Sequence, residues 1–115
     1  MTEQNEPEEK SVEARMKNPA MVLPDAMAGI QNLTHTGSGA SSPGDRMKAA
    51  GYDVSGGWAE NIARGYTTAD AVMQGWMGST GHRANILNCS LKAIGVGVAR
   101  SKDGQLYWTQ DFGAR

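Results

Sequence analysis

The sequence predicts a small α+β domain in which helices flank an antiparallel sheet. Near the C-terminus, residues 94–99 and 106–112 alternate with a period of two around Lys102-Asp103-Gly104, which is the pattern of a β-hairpin with an Asp-Gly turn. Upstream, apolar residues recur at steps of three and four, as in amphipathic helices. The chain has 115 residues, enough for one core and therefore one compact domain.

The N-terminal part divides into a tail and a helical segment. Residues 1–11 are highly charged and carry no large apolar side chain after the first Met, so we expect a solvated acidic tail. Residues 12–33 predict one short helix, broken at Asn18-Pro19, and one longer helix that Pro24 opens as a first-turn residue.

Capping and turn signals define the elements that follow. Ser42 precedes Pro43 and stands three residues before Asp45, which predicts a helix that runs to Ala50 and ends at Gly51. Its Arg46 and Lys48 are expected to face water. The other predicted elements are a Gly/Ser-rich connector over residues 35–42, a strand over residues 58–66, a helix capped by Thr68 and ended by Gly78, and a helical turn over residues 84–87.

Composition excludes several classes of function. The net charge is −1, and no basic run is interleaved with aromatic residues, so nucleic acid is not an expected partner. The chain contains no apolar run of the ~18 residues that a membrane span needs, and its acidic start does not resemble a signal peptide. Cys89 is the single cysteine; we expect a small buried hydrophobe, with an exposed reactive thiol as the alternative.

Three polar residues are candidates for a functional site. His35, Glu60 and His82 lie 25 and 22 residues apart, so only a folded domain could bring them together. Two neutral imidazoles and a carboxylate are a ligand set that leaves a divalent metal with an open position. The plain alternative is that each histidine is a surface or hydrogen-bonded structural residue.

Glu60 is unusual for a purely structural strand. Alternation places it on one face with Trp58 and Ile62, and an acid on such a face favours a functional role. The alternative is that Glu60 caps a neighbouring helix or pairs with Arg64 or Arg83.

Five ordered blocks resemble short bacterial members of the CAP superfamily, which comprises cysteine-rich secretory, antigen-five and pathogenesis-related proteins. The resemblance covers residues 34–115, which we interpret as a CAP (SCP-like) domain. The blocks are SSPGDRMKAAGY (41–52), AENIARGY (59–66), GWMGSTGHRANILN (75–88), IGVGVA (94–99) and YWTQDFG (107–113).

The resemblance implies an α-β-α sandwich with a cleft that holds two histidines and two acids and binds zinc or another divalent ion in some members. His35 and His82 resemble the family histidines, and Glu60 resembles the acid of the GEN-type motif. Ala59 stands where Gly is usual, and Gly78-Ser79 stands where the second acid is expected. A three-ligand site completed by waters should bind metal less tightly than a full tetrad. Family members are typically extracellular.

The residues before His35 depart from the family pattern. Residues 14–33 instead resemble the start of carboxymuconolactone decarboxylase proteins of the alkyl-hydroperoxidase-D type, which implies a recombined or engineered chain with a junction near residues 32–35. Those enzymes depend on a CxxC motif that this sequence lacks, so their activity is not expected. An atypical N-terminal helical layer would expose apolar surface and favour homo-oligomers.

Three functions remain open. A binding module would take a small apolar or lipid-like ligand, such as a sterol or fatty acid, between Trp58, Tyr66, Trp76 and Met77, although the apolar periods favour Trp76 and Trp108 as core. A hydrolase would use a metal-bound or Glu60-activated water with Glu60 as general base. The third reading is a folded scaffold without activity.

Overall fold

The computed structural model describes residues 19–114, with side chains from residue 23 onward. It contains four helices and three strands: α1 (Pro19–Ile30), α2 (Pro43–Ala49), β1 (Trp58–Arg64), α3 (Ala69–Met77), α4 (Thr80–Ile86), β2 (Ala93–Arg100) and β3 (Leu106–Gly113). A 3₁₀ turn at Ser38–Ala40 lies in the predicted Gly/Ser connector. The predicted acidic tail and the short helix from residue 12 lie outside the described residues.

The sheet is antiparallel throughout, with the strand order β1-β3-β2. Strands β2 and β3 form the predicted hairpin, in which Ser101 N–H donates to the Gln105 carbonyl at 2.9 Å. Gly104 has φ +90°, a left-handed conformation that favours glycine in such a turn. Strand β1 pairs with the other side of β3, and this register sets Glu60 opposite Asp111 and Asn61 opposite Gln110.

Helices cover both faces of the sheet, which confirms the α+β sandwich. Helix α1 lies across β2 and β3 and forms one apolar core from Leu23, Met27, Ala28, Ile62 and Tyr107. Helix α3 forms a second core on the opposite face from Ala63, Val72, Trp76 and Trp108. The expectation that Trp76 and Trp108 are core residues is therefore confirmed.

Helix α1 begins five residues earlier than the sequence predicts. Pro19 occupies its first turn, where a proline costs no hydrogen bond, and Pro24 lies inside the helix. Pro24 is fully buried, together with Leu23 and Met27, so packing against the sheet offsets the missing backbone bond. The helix ends at Ile30, before Gln31 with φ +53°.

Helices α2 and α3 begin at the predicted N-caps. The Ser42 hydroxyl accepts from Asp45 N–H while the Asp45 carboxylate accepts from Ser42 N–H, which closes a capping box. Thr68 caps α3 by accepting from Ala71 N–H at 3.1 Å, and Gly78 follows its last turn. Helix α4 begins at Thr80, four residues before the predicted turn.

The edge strand β2 exposes apolar side chains on one face of the sheet. Ile94, Val96 and Val98 alternate along the edge strand β2 and are exposed. They point away from α1, because Ala99 of the same strand packs against the α1 core. The predicted self-association would bury such a surface. Self-association itself stays a prediction. No helix within residues 19–114 has the length and apolar character needed to cross a bilayer.

We expect Thr68→Ala to lower the free energy of unfolding by about 1 kcal/mol, because the first turn of α3 loses the acceptor for Ala71 N–H. Urea denaturation of the full chain measures this loss. Thr67→Ala leaves the cap in place and should change the free energy by less than about 0.5 kcal/mol. Equal losses in the two variants would contradict a capping role for Thr68.

Candidate functional site

A buried carboxylate on β1 organises the candidate site. Glu60 is 6% exposed, and each of its oxygens has a partner. Oε1 contacts His35 Nδ1 at 2.8 Å, and Oε2 accepts from Arg46 Nη2 at 2.9 Å. The structure therefore brings His35 and Glu60 together, and it pairs Glu60 with Arg46 instead of Arg64 or Arg83.

The prediction that Arg46 faces water is wrong. It is 5% exposed, because the capping box starts α2 in an orientation that turns this side chain inward beside Glu60. Arg46 Nη1 also donates to the Ser41 carbonyl at 2.9 Å. A buried guanidinium requires such partners, since an unpaired charge there would be very costly.

The loop before α2 passes close to Arg46. A Cβ atom on Gly37 would lie 2.9 Å from Arg46 Nη1 and 2.7 Å from Ser41 Oγ. Only glycine permits this approach without displacing a neighbour. Arg46 consequently joins three parts of the site: the loop that carries His35, helix α2 and strand β1.

Asp111 is a site residue that sequence reasoning missed. It is the register partner of Glu60 and is 3% exposed, yet neither of its carboxyl oxygens has a hydrogen-bond partner among the described residues. Burial, and then the hydrogen bond and negative charge of Glu60, raise the pKa of Asp111 to about 9. The raised pKa favours the protonated form of Asp111 at neutral pH.

A signal for Asp111 was present in the sequence. Alternation along YWTQDFG places Asp111 on the same face as Tyr107, a core position. An acid at a buried position of a strand requires a partner, but the sequence alone does not reveal which residue lies opposite it.

His35 is the accessible part of the cluster. Its side chain is 54% exposed, and burial followed by the positive charge of Arg46 lowers its pKa, while Asp111 opposes the shift. The lowered pKa favours the neutral imidazole. Because Nδ1 contacts a carboxylate, we assign the proton to Nδ1, which leaves the Nε2 lone pair free.

A separate hydrogen-bond network, centred on Asn61, holds the backbone of His82. Its backbone carbonyl accepts from Asn61 Nδ2 at 3.1 Å, and the Asn61 side chain also pairs with Gln110 and Asn85. This network attaches α4 to β1 at the residue next to Glu60. Across the described part of the chain, no three His, Cys, Asp or Glu side chains are arranged to hold a metal. Metal binding by His35, Glu60 and His82 stays a prediction.

The aromatic residues separate into core and surface. Trp76 is buried and donates to the Ile62 carbonyl, so it is not available as a wall for a ligand. Trp58 and Tyr66 are 42% and 38% exposed. Trp58 lies two residues from Glu60 on the same strand face, and its indole packs against Gly44 of α2. Trp58 is therefore the exposed aromatic side chain beside the polar cluster.

Cys89 does not follow the expectation of a buried hydrophobe. It is exposed in the turn between α4 and β2, and its Sγ contacts the Leu87 carbonyl at 3.8 Å. A turn that protrudes from the sheet gives a small side chain no core to enter.

The fold and motifs agree with known proteins. A model of the cysteine-rich secretory protein family, CAP, matches residues 11–112. This range runs through the proposed junction near residues 32–35, and a recombined origin stays a prediction. YkwD, an uncharacterized protein of Bacillus subtilis, is 48% identical over 73 residues, which are 62% of this chain and 26% of YkwD.

Two solved structures are similar. One is an extracellular protein of Bacillus anthracis that contains an SCP domain, with a TM-score of 0.73 and 28% identity over 88% of this chain and 32% of that one. The other is an outer surface protein of Borrelia burgdorferi, with a TM-score of 0.65 and 18% identity over 100% and 96% of the two chains. The second likeness concerns the fold alone. The chain spans about a quarter of YkwD and a third of the B. anthracis protein.

We expect Asp111→Asn to stabilise the zinc-free protein increasingly as the pH rises from 5 to 9. The raised pKa means that folded Asp111 retains a proton that the unfolded chain releases above its ordinary value of 3.8. The contribution of this carboxyl to the free energy of unfolding therefore falls with increasing pH. The amide of the Asn variant does not titrate and keeps its N–H donor over the whole pH range. Urea unfolding at several pH values in the presence of a chelator measures the effect.

Thr109→Val is the control for Asp111→Asn. Thr109 is fully buried two residues away on the same strand face, and its replacement changes no titratable group. Its stability relative to the parent should not vary with pH. A constant offset for Asp111→Asn as well would contradict the proton on Asp111.

Proposed function

Because the chain belongs to the CAP family of cysteine-rich secretory proteins, we propose that its site is a ligand-binding site built around His35. The observation that carries the proposal is the chain of contacts from Arg46 through Glu60 to His35, which leaves one imidazole nitrogen accessible. The buried charges hold His35 in place, and the ligand meets its Nε2 atom.

A divalent cation such as zinc is the first ligand class that fits. Histidines that bind metals usually donate their other ring N–H to a carboxylate, which orients the ring and strengthens the ligand. His35 and Glu60 have this relationship, and the lowered pKa of His35 keeps the imidazole in its neutral, metal-binding form. Zinc would supply a Lewis-acidic centre at the site when bound.

The three predicted residues then have different roles. His35 provides Nε2 as a ligand and Glu60 acts through His35. His82 would add a second imidazole only if its side chain reached the same ion, since the contact that places it is made by its backbone carbonyl. Glu60 is held by His35 and Arg46 through both of its oxygens, so it would bind the metal directly only if those contacts broke. This assignment accounts for a carboxylate that is buried and yet belongs to an exposed site.

An apolar or lipid-like molecule is the second ligand class in the proposal. Trp58 exposes part of its ring on the strand face that carries Glu60, and an aromatic surface beside a polar atom suits a ligand with an apolar body and a polar end. Tyr66 follows the end of β1, and Met77 is the last residue of α3, so we take Trp58 as the principal contact.

Binding is better supported than hydrolysis. Glu60 would have to leave both His35 and Arg46 before it could take a proton from water, and it is 6% exposed. His35 Nε2 could accept a proton, but a base alone does not define a reaction. Outcomes in which neither zinc nor lipid binds would favour the scaffold without activity.

Zinc should raise the melting temperature of the full chain, and the rise should grow with zinc concentration. At 100 times the dissociation constant the expected stabilisation is about 2.7 kcal/mol. His35→Ala and His82→Ala should abolish the response, whereas Thr36→Ala, beside His35 in the same loop, should retain it. Glu60→Gln should weaken binding about 10- to 100-fold without abolishing it. No shift in the parent protein would remove the metal proposal.

Palmitate should quench or shift the fluorescence of the full chain if Trp58 contacts an apolar ligand. Trp58→Leu should lose the saturable binding, which isotope-labelled palmitate measures independently of fluorescence. Tyr52→Leu is the matched control, since Tyr52 is also exposed but lies outside β1. Equal loss of binding in the two variants would argue against a site at Trp58.

A further inference from the structure

Asn61 is the centre of a buried amide network that the proposed ligand set does not use. Its side chain lies on β1 and is fully buried. Nδ2 donates to the His82 carbonyl at 3.1 Å and to Gln110 Oε1 at 3.0 Å, and Oδ1 accepts from Asn85 Nδ2 at 2.8 Å. Both amide hydrogens therefore have acceptors, and the amide oxygen has a donor.

One backbone group fixes the direction of all three amides. The His82 carbonyl can only accept, so Asn61 presents Nδ2 to it and Oδ1 to Asn85. Gln110 then has to accept through Oε1, which directs its Nε2 at the Met73 sulfur, 3.6 Å away. Neither a carboxylate nor an apolar side chain in place of the central amide would make the same set of bonds.

Helix α4 has little support of its own. It is seven residues long, shorter than a helix that is stable alone in water, and Gly81 in its first turn lowers its intrinsic stability. Ser79 makes no capping bond through its side chain, and no residue of this fully described helix is buried. Ile86 packs its C-terminal end against the core under α3, whereas the first turn, which carries His82, is tied to the sheet through Asn61.

We propose that Asn61 is a positioning residue for His82: its amide holds the first turn of α4 against β1 and so determines whether the second imidazole can join His35 at a bound ion. The inference rests on the proposed function for that ion, whereas the hold on α4 is independent of any ligand. Glu60 and Asn61 are consecutive, so they project to opposite faces of β1. One edge strand thus supports the His35 loop on one face and α4 on the other.

The experiment compares amide hydrogen exchange in the zinc-free full chain and in its variants. Asn85→Ala removes one bond to Asn61 from the α4 side and leaves β1 intact. Because alanine favours a helix more than asparagine does, α4 would gain protection if this bond contributed nothing. We expect instead that the Arg83 and Leu87 amides, which are bonded along α4, lose protection about 5-fold, since Asn61 Oδ1 is left buried and unpaired. The Ser101 amide, in the turn between β2 and β3, should be unchanged.

Arg83→Ala is the matched control for Asn85→Ala. Arg83 is exposed on the same helix, and its replacement by alanine leaves the amide network in place. The Leu87 amide should keep its protection in this variant.

Asn61→Ala removes all three bonds and tests the link to the ion. We expect α4 to be detached in about nine molecules of ten and zinc to bind about 10-fold more weakly, because only molecules with α4 in place offer both imidazoles. Saturating zinc should in turn restore the protection of the α4 amides in this variant, since a ligand stabilises the state that it binds. Arg83→Ala should bind zinc as the parent does. If Asn61→Ala does not fold, as judged by its amide spectrum, the exchange pattern of Asn85→Ala decides the role.

The outcomes are distinct from those of the proposed function. Unchanged α4 protection in Asn85→Ala, an equal loss in Arg83→Ala, or a loss shared by the Ser101 amide would each overturn the hold of Asn61 on α4, whether or not zinc binds. Equal zinc affinity in the parent and in Asn61→Ala with α4 detached would overturn the role toward His82. If zinc fails to bind the parent while the exchange pattern is as expected, Asn61 positions α4 and the ligand proposal alone is wrong.

Discussion

The buried ion pair between Glu60 and Arg46 is the interaction on which the rest of the site depends. Each charge would be prohibitively costly in this environment without the other. The Arg46 guanidinium and the Glu60 carboxylate bring one positive and one negative charge into the cluster, so the pair is neutral overall. Placement of Arg46 depends in turn on the Ser42 capping box, which begins α2 at the correct point. A local helix signal thus determines whether a distant strand can bury an acid.

The register of β1 against β3 extends this dependence to both helical layers. Glu60 faces Asp111 on one side of the sheet, and the next pair, Asn61 and Gln110, points to the other. The first pair supports His35, while Asn61 holds the carbonyl of His82 and the amide of Asn85 in α4. Because side chains alternate along a strand, a slip of one residue would move each of these side chains of β1 to the opposite face, break both pairs and disconnect both layers.

Local signals predicted most of the fold and little of the site. The hairpin, the Ser42 and Thr68 caps and the burial of Trp76 depend on neighbours within a few residues, which alternation and capping rules describe. Helical periodicity predicts that Arg46 faces solvent, because it does not show that Glu60, 14 residues further along the chain, lies beside it in the fold. The sequence does not reveal the role of Asp111, because strand register is a long-range property. Pro24 predicts the start of a helix, but it lies inside α1 because packing against the sheet outweighs its preference for the first turn.

In the proposed binding role, selectivity for a ligand would arise at the rim of this site. Glu60, Arg46 and Asp111 are each at most 6% exposed, so a ligand cannot contact them without rearrangement. Such a ligand would reach His35 and the exposed part of Trp58. In this proposal the buried residues orient one imidazole, whereas the loop around His35 and the Trp58 indole would select the size and polarity of the ligand. Changes at these two places could alter the ligand while the buried network is retained.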